Sequence, residues 1–427
     1  MPDSAFWRSE IARSRTIRQS HESAWQENVD YYTGQSNDAR IAQAAGTDWV
    51  NVNVDFFQVE SKQAQLFFDT PELRLSATGP FRPIVPEGQP APKLQAGPIL
   101  QVHKALLNEL LGPDYADVLV TVQKAIKDCL CPSGFGATKI GYTSVSTTVE
   151  PPETYGSVLG LQAPVQFPVH ESWYWTRISP KKLLIPADFY DTAYDQAPWL
   201  GHEFRMPLTV ARREFSLPDE FTGTTTRDEK VFADDLGADR SSELAYVDGQ
   251  EIFYRASLFD ETVVHPDLFY RLVLIDGVEE PVTDAISPCQ ELDSRTGRLT
   301  ADSCIGNPIH ILTLRDVPDS AYVPSDCQMT RPLVRELCRF RTQMVQERDT
   351  NRTRILYDID KLPPEVVAKI ENGSVGSLIG VEGGALAGGV GAIMAVVQQG
   401  TSPRQTYLAN DYITRDIEKT LGLDATG

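Results

Sequence analysis

The sequence predicts a protein of the α+β class, with helices towards both ends and a β-rich middle. Apolar residues recur with helical spacing over Arg8–Tyr32 and again over Met329–Arg352. Between these segments, aromatic and β-branched residues dominate short runs such as Trp173–Trp175 and Glu251–Phe259, which is typical of strands. The chain has 427 residues, of which 41% are hydrophobic and 23% charged. This length and composition suit roughly two or three globular domains.

The N-terminal elements are predicted to be mainly helical. Trp25, Val29 and Tyr32 lie at i, i+4 and i+7, which indicates a surface helix with one narrow buried face. A second helix is expected over Asn51–Phe68. The clearest helix is Asp114–Leu130, because its apolar residues share one side and its first residue is suited to the N-cap.

The middle of the chain is predicted to be rich in strands. A strand over Thr138–Ser146 follows the clearest helix, and further strands are expected over Trp199–Arg205 and Leu268–Ile275. The dipeptide Asp276-Gly277 is typical of a tight hairpin turn.

The character of the sequence changes after Pro324. Met329–Arg352 contains no glycine and is expected to form one helix of about 35 Å at 1.5 Å per residue. A compact segment over Lys361–Gln399 follows, rich in small residues and turn signals. A final helix is predicted over Arg404–Leu421, where the preceding proline suits a helix start.

The charge balance argues against a protein that coats nucleic acid. The chain has 39 Lys and Arg against 59 Asp and Glu, a formal net charge of −20. Tight binding to phosphates requires many basic residues that displace counterions. A largely acidic surface repels phosphate, so a duplex could still slide past it.

The sequence contains no motif that indicates an enzyme. It has neither a phosphate-binding G-x-x-x-x-G-K-[ST] loop, nor H-E-x-x-H, nor G-x-S-x-G. The six histidines show no metal-ligand spacing, and the six cysteines include no C-x-x-C pair. We therefore predict no catalytic residue, no cofactor and no metal, and we expect reduced, buried thiols.

The order of elements in the C-terminal part is the most specific feature. An apolar strand, IHILTLR, leads through a proline-containing loop into the Arg-rich helix, the compact segment and the last helix. This order resembles the core of the portal proteins of tailed bacteriophages. Three earlier segments also resemble the portal wing: WQENVDYY, QAQLFFDTP and AIKDCLCPSGFGATKIGY.

The resemblance implies a portal fold with a mixed α/β wing, two long stem helices and a small α/β clip. The implied domains are a wing over 1–328, a first stem helix over 329–354, a clip over 355–401 and a second stem helix over 402–427. A portal normally continues into a helical crown, so we expect the sequence to be truncated or to represent a variant without a crown.

The resemblance also implies a function and a set of partners. The protein would form a dodecameric ring at one capsid vertex of the virion, after assembly in the host cytoplasm. Its partners would be further copies of itself, the terminase large subunit, the tail adaptor and the major capsid protein. Double-stranded DNA would pass through the ring without sequence-specific contacts. No membrane partner is expected, because the longest apolar run falls short of the roughly 20 residues that span a bilayer.

Two candidate surfaces accompany this prediction. Between residues 331 and 354 seven arginines face three acids, a local net charge of +4 in an acidic chain. They could contact phosphates in the channel, or they could pair with acidic residues of neighbouring subunits. The candidate residues are Arg331, Arg335, Arg339, Arg341, Arg348 and Arg352.

The clip is the expected docking surface for the motor and the adaptor. Its candidate residues are Pro363, Pro364, Gly373, Gly376, Ala387 and Ala392.

One alternative belongs to a different functional class. The β-rich middle could bind a host envelope, which would make the chain a virion-associated ejection protein or an enzyme of the virion.

Overall fold

Helices form both ends of the described chain, and antiparallel sheets form its middle. The computed structural model describes residues 3–67, 96–113, 115–149, 165–218, 220–223, 225–226, 245–259, 267–292, 299, 306–350, 354–357, 364–365, 367–368, 394–397 and 404–421. Over these residues the protein is of the α+β class, which confirms the predicted class. The portal arrangement and its domain boundaries stay predictions.

The long helices lie close to their predicted positions. In chain order the α-helices are α1 (Ser4–Tyr32), α2 (Asn37–Ala44), α3 (Val54–Leu66), α4 (Ala96–Leu110), α5 (Val118–Leu130), α6 (Leu208–Phe215), α7 (Asp326–Thr350) and α8 (Arg404–Thr420). The sequence patterns do not predict α2, α4 or α6. Residues 364–365 and 367–368 are also helical.

The strands form antiparallel sheets. They are β1 (Phe135–Val149), β2 (Val165–Ile178), β3 (Leu183–Leu184), β4 (Trp199–Pro207), β5 (Thr225–Thr226), β6 (Ala245–Arg255), β7 (Phe269–Ile275), β8 (Thr283–Ile286), β9 (Ile309–Thr313), β10 (Arg354–Tyr357) and β11 (Met394–Val397). One sheet has the order β2-β1-β9, and a larger one has the order β3-β4-β6-β7-β8, with β5 also paired to β6. β10 pairs with β11. A turn is present at Asp276-Gly277, where Gly277 has φ +90° and the Val278 N–H donates to the Ile275 carbonyl at 3.2 Å, but it only begins the connection from β7 to β8, which runs over residues 276–282.

The chain folds as two compact units. The first consists of Met1–Tyr32 and Asp55–Met329, and the second consists of Thr33–Val54 and Thr330–Gly427. The second unit is therefore discontinuous in sequence. A linear pattern of residues does not reveal this arrangement, because it depends on contacts between segments some three hundred residues apart.

α1 buries polar as well as apolar residues along one face. Trp25 is buried as predicted, whereas Val29 and Tyr32 are only partly buried. Two buried polar residues of this face are satisfied by the backbone beside β3. Ser14 Oγ accepts the Ile185 N–H at 3.1 Å, and Arg18 donates to the Leu183 carbonyl at 3.2 Å.

Aromatic residues fill the core of the first unit. One cluster surrounds Phe135 and includes Trp25 and Phe253, all almost completely buried. A second cluster brings Trp7 of α1 against Leu272 and Leu274 of β7. α1 and the larger sheet thus share one apolar interior, which stabilises the helix through packing more than through helical propensity.

The predicted start of α5 is wrong. The helix begins at Val118, and its N-cap position is Asp117, which has φ 42° and makes no capping hydrogen bond through its side chain. The N–H groups of Ala116 and Asp117 instead donate to the carbonyls of Leu110 and Gly112. Because of this tight turn at the end of α4, the helical geometry of α5 begins only at Val118. Asp114, the predicted cap, lies outside the described residues.

The cysteines fit the expectation of buried thiols where the structure describes them. Cys129, Cys131, Cys327 and Cys338 are buried, and Cys289 is partly buried; none of these forms a disulfide. Cys304 lies outside the described residues.

Candidate functional site

The Arg-rich helix predicted from the sequence is α7, and its start is fixed by a buried hydrogen-bond network within the first unit. Ser325 directly precedes the helix, and its Oγ accepts the Gln328 N–H at 3.2 Å, which is an N-cap interaction. The same Oγ accepts a hydrogen bond from Asn28 Nδ2 at 3.2 Å. Asn28 Nδ2 also donates to the Pro132 carbonyl at 2.9 Å. Because Asn28 and Ser325 are fully buried, this network links α1, the α5–β1 turn and α7.

The first turn of α7 carries a buried acid with two basic partners. Asp326 Oδ1 accepts from Arg315 Nε at 3.0 Å and from Arg315 Nη2 at 2.6 Å. Its Oδ2 accepts from Lys62 Nζ at 2.6 Å. A carboxylate in the first turn also interacts favourably with the helix dipole. The chain therefore enters the helix with a fixed position and direction.

The loop before α7 is held from several sides. Tyr194 donates its hydroxyl to the Ala321 carbonyl at 2.5 Å. Tyr322 stacks on His21 with ring centroids 4.6 Å apart. Gly134 has φ +85°, and a Cβ there would overlap the Val323 carbonyl. This loop corresponds to the proline-containing connection that carries the portal resemblance, and it is rigidly packed.

In the second unit, the segment over 33–54 covers α7 as far as Thr342. The Val50 N–H donates to Thr342 Oγ1 at 2.9 Å, and the Val52 N–H donates to Cys338 Sγ at 3.4 Å. Val334 and Leu337 are buried on the same part of the helix. No local pattern of residues predicts this cover, since the covering segment precedes α7 by almost three hundred residues.

The structure brings two of the six candidate arginines together on one acid. Arg335 pairs with Asp38 through two bonds of 2.6 and 2.9 Å, and Arg339 Nη2 lies 3.7 Å from the same carboxylate. Asp38 lies in the first turn of α2 and its side chain is 14% exposed. This pairing within one chain differs from both predicted roles of the arginines, which are contact with DNA phosphates and pairing with acids of a neighbouring subunit. Arg331 is partly buried.

Arg341 and Arg348 lie on the exposed side of α7. Val334, Arg341 and Arg348 are spaced by seven residues, so they follow one line along the helix, which is the spacing of a coiled-coil seam. Val334 is buried, whereas Arg341 and Arg348 are exposed and form no ion pair with the residues that the structure describes. Arg352 lies outside the described residues.

The clip candidates fall almost entirely outside the described chain. Pro364 is helical and exposed. The structure does not describe Pro363, Gly373, Gly376, Ala387 or Ala392, so the predicted docking surface stays a prediction.

The sequence patterns missed a buried charged cluster around Glu251 of β6. Its carboxylate accepts from Lys139 of β1 and from Arg271 Nε of β7 at 2.6 Å, and lies 2.9 Å from His202 Nε2 of β4. Burial alone would raise the pKa of Glu251, but the His202 hydrogen bond and the charges of Lys139 and Arg271 outweigh it and hold this pKa below its ordinary value. A catalytic acid needs the opposite shift, so the cluster has the character of a structural ion network.

The described ranges contain neither a candidate metal site nor a candidate membrane span. Within them, no group of three or more His, Cys, Asp or Glu side chains could hold a metal ion. The helices in the same part of the chain are too short or too polar for one of them to cross a membrane. No protein-family model matches the sequence, and no curated protein matches it.

Proposed function

We propose that this chain is a subunit of a bacteriophage portal, a closed ring that conducts double-stranded DNA. The observation that carries the proposal is α7, a helix of 25 residues, which corresponds to about 37 Å at 1.5 Å per residue. The helix is fixed at its first turn, rich in arginine, and preceded by the strand and loop that resemble a portal. In this proposal α7 is the first stem helix.

The second half of α7 supports an assembly of several copies. Thr342 is the last buried residue of the helix among the described side chains, yet the helix continues to Thr350. Helices in proteins gain most of their stability from tertiary packing of one face. Among the residues that the structure describes, Met344 and Val345 are only partly buried, so the neighbouring copy in a ring would add packing to this part of the helix.

The net charge supports conduction of DNA without tight binding. A subunit of charge −20 repels phosphate over most of its surface, so a duplex in the channel would not stick to the wall. The mechanism is geometric and electrostatic and includes no covalent chemistry. The exposed Arg341 and Arg348 either contact phosphates or pair with acids of the next copy, and both interpretations fit their exposure.

The proposal includes the partners that the resemblance implies. The ring would be dodecameric and would occupy one vertex of the virion, surrounded by the major capsid protein. The terminase large subunit and then the tail adaptor would dock to the clip. Such successive partners require interfaces of moderate size and reversible affinity.

Mass photometry and cryo-electron microscopy of the purified chain test the proposal. We expect closed rings with cyclic symmetry, because a head-to-tail interface that closes on itself gives a ring. The measurement is made over a range of salt concentrations, so that electrostatic repulsion between copies does not hide assembly. A chain that stays monomeric under every condition contradicts the proposal, and so does an assembly without a central channel.

A further inference from the structure

Two buried cysteines of the first unit are in contact, Cys131 at the end of α5 and Cys327 in the first turn of α7. They are 6% and 2% exposed and belong to one buried cluster, together with Val59 and Leu130. The Cys327 thiol is hydrogen-bonded to Cys131, and neither cysteine forms a disulfide. Because a disulfide brings two sulfur atoms to about 2.05 Å, it forms between cysteines whose backbones already lie close together.

The two chain segments beside these cysteines pass each other closely and in opposite directions. Asn28 Nδ2 donates to the Pro132 carbonyl at 2.9 Å and to Ser325 Oγ at 3.2 Å, so one buried amide joins both segments. Two residues further along each segment, an added Cβ at Gly134 would overlap the Val323 carbonyl. Going the other way from the Asn28 amide, the next positions to meet are those of the two cysteines. Their contact is therefore part of an extended approach of two backbones.

The residue next to Cys327 holds the first turn of α7 in this position. Asp326 accepts from Lys62 Nζ at 2.6 Å and from Arg315 Nη2 at 2.6 Å, and its side chain is 11% exposed. These ion pairs act together with the Asn28 hydrogen bonds. In the folded subunit they keep the two thiols close to each other.

The reactivity of the pair is limited by its surroundings. The pKa of the Cys327 thiol is raised, first by its hydrogen bond with Cys131 and then by burial. The thiolate is the nucleophile in thiol chemistry, so a raised pKa slows oxidation near neutral pH. The pair is therefore suited to oxidation by a small reagent that can reach a buried sulfur atom.

We propose that Cys131 and Cys327 form a disulfide when the protein meets hydrogen peroxide, and that this bond joins the start of α7 covalently to the end of α5. The thiolate of one cysteine attacks a peroxide oxygen, the O–O bond breaks, and a sulfenic acid and one water result. The other cysteine attacks that sulfur, the S–S bond forms, and the hydroxyl group leaves as a second water. Each cysteine loses one proton, and together they transfer two electrons to the peroxide.

The disulfide would change the stability of the subunit and the time at which it is most stable. It would close a loop of almost two hundred residues, which restricts the unfolded chain. Thiols stay reduced in the cytosol, whereas disulfides persist outside the cell. A subunit of a virion is made in the first environment and acts in the second, so the bond would form after assembly. This timing rests on the proposed function, whereas the pairing of the two thiols does not.

Thiol mapping of the full chain by mass spectrometry tests this inference. In freshly lysed cells, treated at once with an alkylating reagent, we expect both cysteines to be alkylated. After treatment of the purified chain with hydrogen peroxide at about pH 8.5, we expect a peptide pair joined through Cys131 and Cys327. We also expect the equilibrium constant of unfolding in urea to fall by about a hundredfold.

Two variants provide the comparison. Cys327→Ser should show neither the joined peptides nor the change in urea unfolding after peroxide treatment. Cys129→Ser is the matched control, since Cys129 is also buried but its thiol donates to the Leu312 carbonyl at 3.1 Å. This control should form the disulfide as the wild type does. If Cys327→Ser does not fold, Cys131→Ser gives the same comparison.

The outcomes separate this inference from the proposed function. If peroxide leaves the two cysteines unjoined in the folded wild type, or joins either of them to another cysteine, the inference is overturned and the ring proposal stands. Equal urea unfolding of the reduced and oxidised chains overturns the stabilising role of the bond. A disulfide that is already present in freshly lysed cells overturns its dependence on an oxidant. Disulfide formation in a chain that never forms rings supports the pair and contradicts only the proposed function.

Discussion

Gly134 lies where the α5–β1 turn meets the loop that leads into α7. Its φ of +85° is a region that residues with a Cβ rarely adopt, and an added Cβ would overlap the backbone of Val323. Gly46 offers a matched comparison, because its φ is +65° and no heavy atom lies within 4 Å of an added Cβ. The two positions therefore separate the cost of the backbone conformation from the cost of the overlap.

We predict that Gly134→Ala destabilises the protein more than Gly46→Ala. Gly46→Ala should cost about 1 kcal/mol from backbone strain, and Gly134→Ala about 3 kcal/mol because the overlap adds to it. Urea unfolding followed by tryptophan fluorescence measures both values. Equal losses of unfolding free energy would mean that the loop at Val323 can move away from the turn at little cost. That result would contradict the close packing of the loop before α7.

Asp128 is a buried carboxyl whose ionisation opposes folding. Its side chain is paired with Arg177 at 2.5 and 2.7 Å. Burial raises the pKa of Asp128 to about 6, although the Arg177 hydrogen bonds and charge act to lower it. The folded protein therefore binds this proton more tightly than the unfolded chain, whose ordinary pKa is 3.8. The stability that this proton contributes is fully present below pH 4 and is lost as the pH rises through 6.

Comparison with Asp128→Asn isolates this contribution from the other titrating groups. We predict that the free energy of unfolding of the wild type, relative to that of the variant, falls by about 3 kcal/mol between pH 4 and pH 7. Urea titrations of both proteins across this range provide the measurement. A relative stability that rises with pH would show that the ion pair with Arg177 outweighs burial.

At the scale of elements, Glu251 joins strands of two different sheets. β6, which carries Glu251, lies in the larger sheet, whereas Lys139 belongs to β1 of the three-stranded sheet. The Glu251 side chain is only 4% exposed, so its charge depends on Lys139, His202 and Arg271 for compensation. Removing one partner of a buried ionic network leaves the others uncompensated, which is far more costly than losing a surface pair.

We predict that Glu251→Gln lowers the free energy of unfolding by about 3–5 kcal/mol. Asp267→Asn is the control, since the Asp267 side chain is 80% exposed and lies 3.6 Å from Arg255, so the loss of this surface pair should cost less than about 1 kcal/mol. Chemical unfolding of the two variants compares these costs. A small effect at Glu251 would mean that the three basic groups find water or other acceptors.

The sequence predicts elements much better than it predicts their partners. α7 and α8 lie within three residues of the predicted limits, because a long 3.6-residue periodicity and a proline or glycine at its ends are local signals. The predicted start of α5 is wrong, because Asp117 has φ 42°, a backbone conformation that interrupts helical geometry before Val118. Neither the Asp38 pair with Arg335 nor the Glu251 cluster has a local signal, since each joins segments that only folding brings together.

At the scale of the whole molecule, the net negative charge and the exposed arginines of α7 have opposite effects on the association of copies. Copies of charge −20 repel, and this repulsion weakens as salt shortens the Debye length from about 10 Å at 0.1 M to about 3 Å at 1 M. Exposed arginines that pair with acids of the next copy would reduce the repulsion locally, and salt would screen those pairs as well. The salt dependence of assembly therefore reports what Arg341 and Arg348 contact.

The last prediction uses this dependence to separate the two interpretations of the arginines. We expect Arg341→Gln combined with Arg348→Gln to weaken ring assembly strongly at low salt and only slightly at 1 M salt, because inter-subunit ion pairs are screened there. The control combines Arg13→Gln with Arg213→Gln, which changes the net charge equally on exposed residues of the other unit. Mass photometry across the salt series measures the assembled fraction for each protein. If the Arg341 and Arg348 variant assembles like the control at every salt concentration, the arginines do not join neighbouring copies. A changed rate of DNA passage through those intact rings would then assign them to the phosphates in the channel.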